Sequence, residues 1–491
     1  SRYGYNGASG GVDANGNEYS IFEYSLDDAK NATITKYQGN VSALSIPDAL
    51  DGYPVVGIAA NVFEKNKQLR VVVIPDSVIS IGSFAFSECS NLSTVILSKN
   101  VTSIGRGAFY NCDALTGIEI PKSLKETVGY HDKTEEGVFS YCDNLKNVTF
   151  EEGITRIANS LFANCPGIEQ ITIPDTVIEI RYNAFYNCKN LQSVTIANSV
   201  ASIGDFAFSR CKNLSTVILS KNVTSIGRGA FYNCYALTSI EIPKSLEKTG
   251  TYSDNYTYEG IFRECDNLKT ITFEEGTTRI ANSLFANCPG IEQITIPDTV
   301  TEIRYNAFYN CKNLQSVTIA NSVASIGDFA FSRCKNLSTV ILPKNVTSIG
   351  SGAFSSCMNL STVTLSKNVT SIGRGAFSNC GALTGIEIPK SLKKTGEYYD
   401  ITMEGVFSYC DNLKNVTFEE GTTRIVNSLF ANCPGIEQIT IPDTVTEIQY
   451  RAFYGCKNLQ SVEIPNSVTS IGDSAFVDNV SLKEAMLPDS I

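Results

Sequence analysis

The sequence predicts an α/β repeat solenoid. Coils of 23 residues each lay one short strand into a long parallel β-sheet on one face, with short 3₁₀ or helical turns and extended segments on the other. Three observations predict it. The sixteen cysteines fall at 89, 112, 142, 165, 188, 211, 234, 265, 288, 311, 334, 357, 380, 410, 433 and 456. Twelve of the fifteen gaps are 23 residues and the others are 30, 31 and 30, so every cysteine holds the same place in one repeating unit. Each unit also carries one apolar stretch of strand character, and the Ala-Phe-x-x-Cys that follows is too short for more than one helical or 3₁₀ turn.

Residues 1–39 lie outside the repeat and are read as a β-hairpin cap turning at Asn15-Gly16, because an open sheet edge invites pairing with other chains. Asp13-Ala-Asn-Gly-Asn is calcium-loop-like only in part, since Glu18 stands where such a loop needs glycine. Residues 40–491 form one solenoid domain of about 18 coils, the last partial. Val41-x-x-Leu44-x-Ile46-Pro47 opens the first coil. A representative unit begins at Cys188, with apolar positions at Leu191, Val194, Ile196, Val200, Ile203, Ala207 and Phe208. Leu-x-x-Val-x-Ile reads as the strand, Pro174, Pro297 or Pro442 ends it in sister coils, and Ser-Ile-Gly204 reads as a second extended stretch. The cysteine slot is a column of small buried hydrophobes, filled at its two ends by Asn66 and Asn479. No C-x₂-C pair exists to suggest zinc. A longer period lies over the short one: 89–210 recurs as 211–333 and as 357–478, and 157–219 differs from 280–342 only at Ile178 against Thr301. The chain stops inside a coil at Ile491, read as a truncation or a natural half-coil cap. Ser1 is read as following a removed export signal or a cloning boundary.

The recurring L-x-x-L-x-I-P-x-x-V-x-x-I-G-x-x-A-F-x-x-C resembles the BspA-type leucine-rich repeat, and residues 456–478, CKNLQSVEIPNSVTSIGDSAFVD, follow it almost position for position. The resemblance covers about 40 to 491. It implies a curved leucine-rich-repeat array and a role in adhesion to molecules of a host or neighbouring cell.

Composition excludes several function classes. The net charge is −11, with 39 basic and 50 acidic side chains, which argues against nucleic acid as a partner. No apolar run reaches the roughly 18 residues of a membrane-spanning helix. One histidine and no tryptophan in 491 residues leave little room for histidine-based catalysis, and no G-x-G-x-x-G or phosphate loop occurs. Glu119, Glu241 and Glu387 share a column but lie coils apart, and adjacent Glu151 and Glu152 should diverge or reach solvent, so no paired carboxylates of a glycosidase are expected. No cofactor and no metal are expected.

The variable segments carry the binding candidates. Three coils hold insertions after Pro121, Pro243 and Pro389, with tips at 125–136, 247–259 and 393–404. The surrounding framework is nearly invariant while the tips differ. The candidate ligand-binding residues are Tyr130, His131 and Asp132; Tyr252, Asp254, Tyr256 and Tyr258; and Tyr398, Tyr399 and Asp400. Tyrosine among small polar residues suits a binding loop, because it gives large contact area at low entropic cost. Unselected drift of a tolerated loop is the competing reading. At one strand spacing per coil the loops stand ~24 and ~29 Å apart, too far for one small-molecule pocket.

The strand face is the other candidate surface. Its column reads Thr149, Thr172, Thr195, Ile218, Glu241, Thr272, Thr295, Thr318 and Ile341, rich in hydroxyls and low in charge. Such a face could take an extended polypeptide or glycan, although threonine there also serves β-propensity. Lys146 and Glu169, Lys269 and Glu292, and Lys414 and Glu437 are expected as cross-strand pairs. The Asn-x-Ser/Thr sequons at Asn91, Asn100, Asn147, Asn213 and Asn222 follow from the repeat itself. The residues alone imply a large non-catalytic surface, and with the family resemblance the expected function is that of an exported bacterial surface protein, secreted or surface-attached and monomeric, that binds protein or glycan. A spacer of the cell envelope without a ligand is the alternative, and a glycan-active enzyme a distant third.

Overall fold

The computed structural model describes residues 2–4, 10–12, 18–128, 136–250, 260–396 and 404–487. The chain divides into two compact units, Ser1–Leu237 and Thr238–Ile491, each described by itself.

The first unit opens with antiparallel strands. Arg2–Gly4 pairs with Phe22–Leu26, which pairs with Ala32–Tyr37. The turn between the last two is closed by Asp27, whose carboxylate accepts the Asn31 backbone N–H at 2.7 Å, and by Lys30 at φ 62°. Ala32–Tyr37 then runs parallel to Tyr53–Ile58 and starts a ladder. This second hairpin, which the glycine-based reading missed, is the one laid against the repeat. The hairpin about Asn15-Gly16 has its turn outside the described residues, while its arms Gly10–Val12 and Glu18–Ser20 pair antiparallel.

Each coil contributes to two parallel ladders rather than one. The first is built from Leu-x-x-Val-x-Ile. In the first unit it runs through Ala43–Ser45, Val71–Val73 and Thr94–Ile96, and resumes in Gln170–Thr172, Ser193–Thr195 and Thr216–Ile218. The second uses the short Ser-Ile stretches, as in Tyr53–Ile58, Ser80–Ile81, Ser103–Gly105 and Glu126–Val128. Strand alternation sets the burial: Gln170 and Thr172 are exposed while Ile171 between them is buried. The second unit repeats both ladders, for example Gln293–Thr295 on Ser316–Thr318 and Ser325–Ile326 on Ser348–Ile349.

The expected 3₁₀ or helical turns are corrected by the structure, for no helix occurs among the described residues. The reason lies in where the N–H groups go. In Gly82–Cys89, the N–H groups of Ala85, Ser87 and Cys89 donate three residues back, at 3.3, 3.1 and 3.4 Å. Those of Phe84, Phe86 and Glu88 donate instead to Arg106, Ala108 and Tyr110 of the next coil, at 2.9, 2.7 and 2.7 Å. A helix needs every N–H turned along its own axis and φ uniformly negative, whereas Phe84 and Glu88 sit at φ 56° and 58°. The same two left-handed positions recur as Asn183 and Asn187, Ser283 and Asn287, or Phe329 and Arg333. The third side of each coil is thus a run of turns hydrogen-bonded to its neighbour.

Inside, phenylalanine rings stack along each unit. Phe63, Phe86, Phe109, Phe139 and Phe162 stand 4.6, 5.2, 5.3 and 5.6 Å apart, and Phe308, Phe331, Phe354 and Phe377 follow at 5.1, 5.3 and 5.3 Å. All sixteen cysteines are buried free thiols. Most donate Sγ–H to the phenylalanine carbonyl of the preceding coil, as Cys89 to Phe63 at 3.1 Å and Cys357 to Phe331 at 3.2 Å. At the slot's N-terminal end, Asn66 accepts the N–H groups of Gln68 and Leu69 at 2.9 and 3.2 Å. At its other end, the Asn479 amide is buried without a partner among the described residues.

Candidate functional surfaces

The ten candidate loop residues, Tyr130, His131, Asp132, Tyr252, Asp254, Tyr256, Tyr258, Tyr398, Tyr399 and Asp400, lie outside the described residues. Their anchors are described. In the first unit, the first ladder continues across the insertion, with Gly117–Ile120 on Asn147–Phe150. The second does not: Glu126–Val128 ends one sheet and Arg156–Ile157 begins another. In the second unit it likewise ends at Lys394–Thr395 and restarts at Arg424–Ile425. The extra residues therefore leave the coil at the corner after the second ladder.

Both ends of each insertion are held by the next coil. Before the loop, the Thr127 hydroxyl donates to the Asn159 carbonyl, Thr249 to Asn282, and Thr395 to Asn427. After it comes a glycine with no space for a side chain. A Cβ at Gly137 would stand 2.2 Å from the Ser160 oxygen, at Gly260 2.4 Å from that of Ala286, and at Gly405 2.2 Å from that of Ser428. In two copies a serine ties the glycine down: the Ser140 hydroxyl accepts Gly137 N–H and donates to Ala163, each at 2.6 Å, and Ser408 repeats this with Gly405 and Ala431. Arg106, beside the first loop, pairs with Glu136 at 3.6 Å and lies over the Phe84 ring at 5.2 Å.

On the strand face the expected column is exposed at Thr149, Thr172, Thr195, Thr272, Thr295 and Thr318. Ile96, Ile218 and Ile341 break it as single apolar residues, 54%, 55% and 63% exposed. The three expected cross-strand pairs form: Lys146 to Glu169 at 2.8 Å, Lys269 to Glu292 at 2.8 Å and Lys414 to Glu437 at 2.6 Å. Being half exposed, each contributes ~0.2–1 kcal/mol at most.

Several polar groups turn out to be structural. Glu151 does not reach freely into solvent: it accepts the Lys122 backbone N–H at 3.0 Å, and that bond holds its carboxyl below the usual range. Glu274 and Glu419 do the same for Lys244 and Lys390. The sequon amides of Asn91, Asn100 and Asn222 donate to carbonyls of the preceding coil at 2.7, 2.9 and 2.9 Å. Burial pushes the thiols of Cys89, Cys211, Cys311 and Cys357 up to about 12, so they stay protonated and unreactive near neutrality. Among the described residues no three metal-ligating side chains cluster, and no helix is long and apolar enough to cross a membrane.

One concavity was missed from sequence. A groove of about 660 Å³ opens on the strand face of the second unit, over the neighbouring strands Gln438–Thr440 and Ser461–Glu463, and Asp443, Pro465 and Asn466 also line it. The sequence signal was available: Glu463 stands where the other two copies hold Thr195 and Thr318.

Comparison with known proteins places this geometry. Six copies of the BspA type leucine-rich repeat region match, at 56–131, 132–258, 179–315, 253–340, 278–401 and 399–491. No curated protein matches. A leucine-rich repeat protein from Bacteroides ovatus is 25% identical over 82% of this chain and 99% of its own, at a TM-score of 0.55. A leucine-rich cell surface protein from Faecalibacterium prausnitzii is 26% identical over 98% of this chain and 95% of its own, at 0.33. A leucine-rich repeat protein of T. pallidum is 28% identical over 44% of this chain and 88% of its own, at 0.33.

Proposed function

Because the chain belongs to the BspA-type leucine-rich repeat family, whose repeat it carries from residue 56 to 491, we propose that it is an exported bacterial surface protein that binds protein or glycan on other cells. In this reading it performs no catalysis and acts as a monomer. The observation that carries it is the contrast at the insertions. Thr127, Thr249 and Thr395 hold one side and Gly137, Gly260 and Gly405 the other, by the same contacts each time. The segments between them keep a Tyr-x-Asp and a closing Glu at matching positions (Tyr130, Asp132 and Glu136; Tyr252, Asp254 and Glu259; Tyr398, Asp400 and Glu404), while most of their other positions differ. A rigid frame presenting divergent Tyr- and Asp-bearing tips is how binding surfaces diversify without loss of fold. Several such tips on one chain also suit a partner that repeats, through effective concentration.

The test is replacement of Tyr252, Tyr256 and Tyr258 together by alanine, followed by binding of the labelled protein to cultured epithelial and bacterial cells. The expected result is a loss of cell binding with an unchanged melting temperature. Equal binding by wild type and variant would move recognition to the strand face. No saturable binding by the wild type would favour an envelope spacer.

A further inference from the structure

The strand face of the second unit changes character at its last strands. Gln438 and Ser461 stand in register on neighbouring strands, as do Thr440 and Glu463, and the next strand sets Glu484 beside Ser461 and Met486 beside Glu463. Glu484 takes the place of Thr216 and Thr339 in the other copies, as Glu463 takes that of Thr195 and Thr318. Asp443 faces the same groove, and neither it nor Glu463 has a hydrogen-bond or ion-pair partner among the described residues. We propose that this groove is a docking site for an extended peptide segment that presents a lysine or arginine side chain.

Volume, charge and polarity favour that occupant. About 660 Å³ accommodates one long side chain with its flanking backbone. Two unpartnered carboxylates on the groove and a third beside it repel phosphate or sulfate; they can accept hydroxyl hydrogen bonds from a neutral sugar, but only a cation also balances their charge. The outward Gln438 amide and Ser461 hydroxyl supply donors and acceptors for a peptide backbone. Met486, 62% exposed, offers the thioether against which an aliphatic stem lies. The chain's net charge of −11 steers cationic segments toward it. This deepens the surface-binding reading and rests on it, but not on the insertion loops.

The test is fluorescence anisotropy with a fluorescein-labelled Gly-Ser-Gly-Arg-Gly-Ser-Gly peptide and its citrulline counterpart, which keeps shape and loses charge. Wild type should bind the arginine peptide about tenfold more tightly than the citrulline one, with affinity falling as salt rises. Glu463→Thr restores the residue that the other copies carry at this place, so it keeps the fold; it should lower arginine-peptide affinity several-fold at unchanged melting temperature. The triple tyrosine variant should bind the arginine peptide as wild type does. Equal affinity for the two peptides, or an unchanged affinity in Glu463→Thr, overturns the proposal. So does competition by chitotriose with no effect of Glu463→Thr, which would make the groove a neutral-glycan site. Loss of cell binding in the tyrosine variant with no arginine preference at the groove would sink this inference alone and leave the surface-binding reading standing.

Discussion

At the residue scale the cysteine column is the most consequential repeated choice. The thiols fill small buried slots, and most find an acceptor in a carbonyl of the coil before. Their chemistry is thereby suppressed. Burial raises the thiols of Cys211, Cys311, Cys357 and Cys456 to about 12, against about 9 when unfolded. The folded chain then keeps protons that the unfolded chain releases between those values. The thiols' contribution to stability is accordingly constant below about pH 8 and falls as pH rises from 9 toward 12, by about 1.4 kcal/mol per pH unit for each fully buried thiol. Urea unfolding across that range checks this, and Cys357→Ala should flatten the decline by about one thiol's share; an identical slope would count against it. The column was legible in the sequence as a spacing. The donor–acceptor pairing was not, because the acceptor lies 26 residues away.

At the element scale, the Ala-Phe-x-x-Cys segment shows why local pattern misled. Its composition permits a turn of helix, and nothing within four residues forbids it. The decision is made by carbonyls of the next coil, which take alternate N–H groups and leave two residues per coil in the left-handed region. The glycines that close the insertions are decided likewise. Gly405→Ala should cost about 1–3 kcal/mol, since its methyl would meet the Ser428 carbonyl and the Ala431 N–H at 2.2 and 2.6 Å. Gly381→Ala, with nothing within 4 Å of the new methyl, should stay within about 0.5 kcal/mol. Thermal melts of the two variants give a direct comparison. The cross-strand pairs Lys146–Glu169, Lys269–Glu292 and Lys414–Glu437 were readable in advance, because parallel register maps residue i onto i+23 whatever the turns do.

At the scale of the whole molecule, the units behave as stacks in which each coil touches its neighbours. Within the first unit, Phe208 lies between Phe185 and Phe231, at 5.1 and 5.4 Å. Phe208→Ala should cost about 3–5 kcal/mol. Amide exchange should quicken in the coils on either side while the coil of Phe86 stays protected, as expected of nearest-neighbour coupling. Uniform loss of protection through the unit would contradict it. Repeat length, the inward-facing residues, the family and the placement of insertions were fixed by one-dimensional spacing. The three-dimensional stack alone decided the second ladder, the turns in place of helices, the use of Glu151 as a cap and the meeting of Asp443 with Glu463 in one groove. The physical reason is that a side chain's periodicity is carried by its own coil, whereas hydrogen-bond partners and grooves belong to pairs of coils that sequence separates by more than twenty residues.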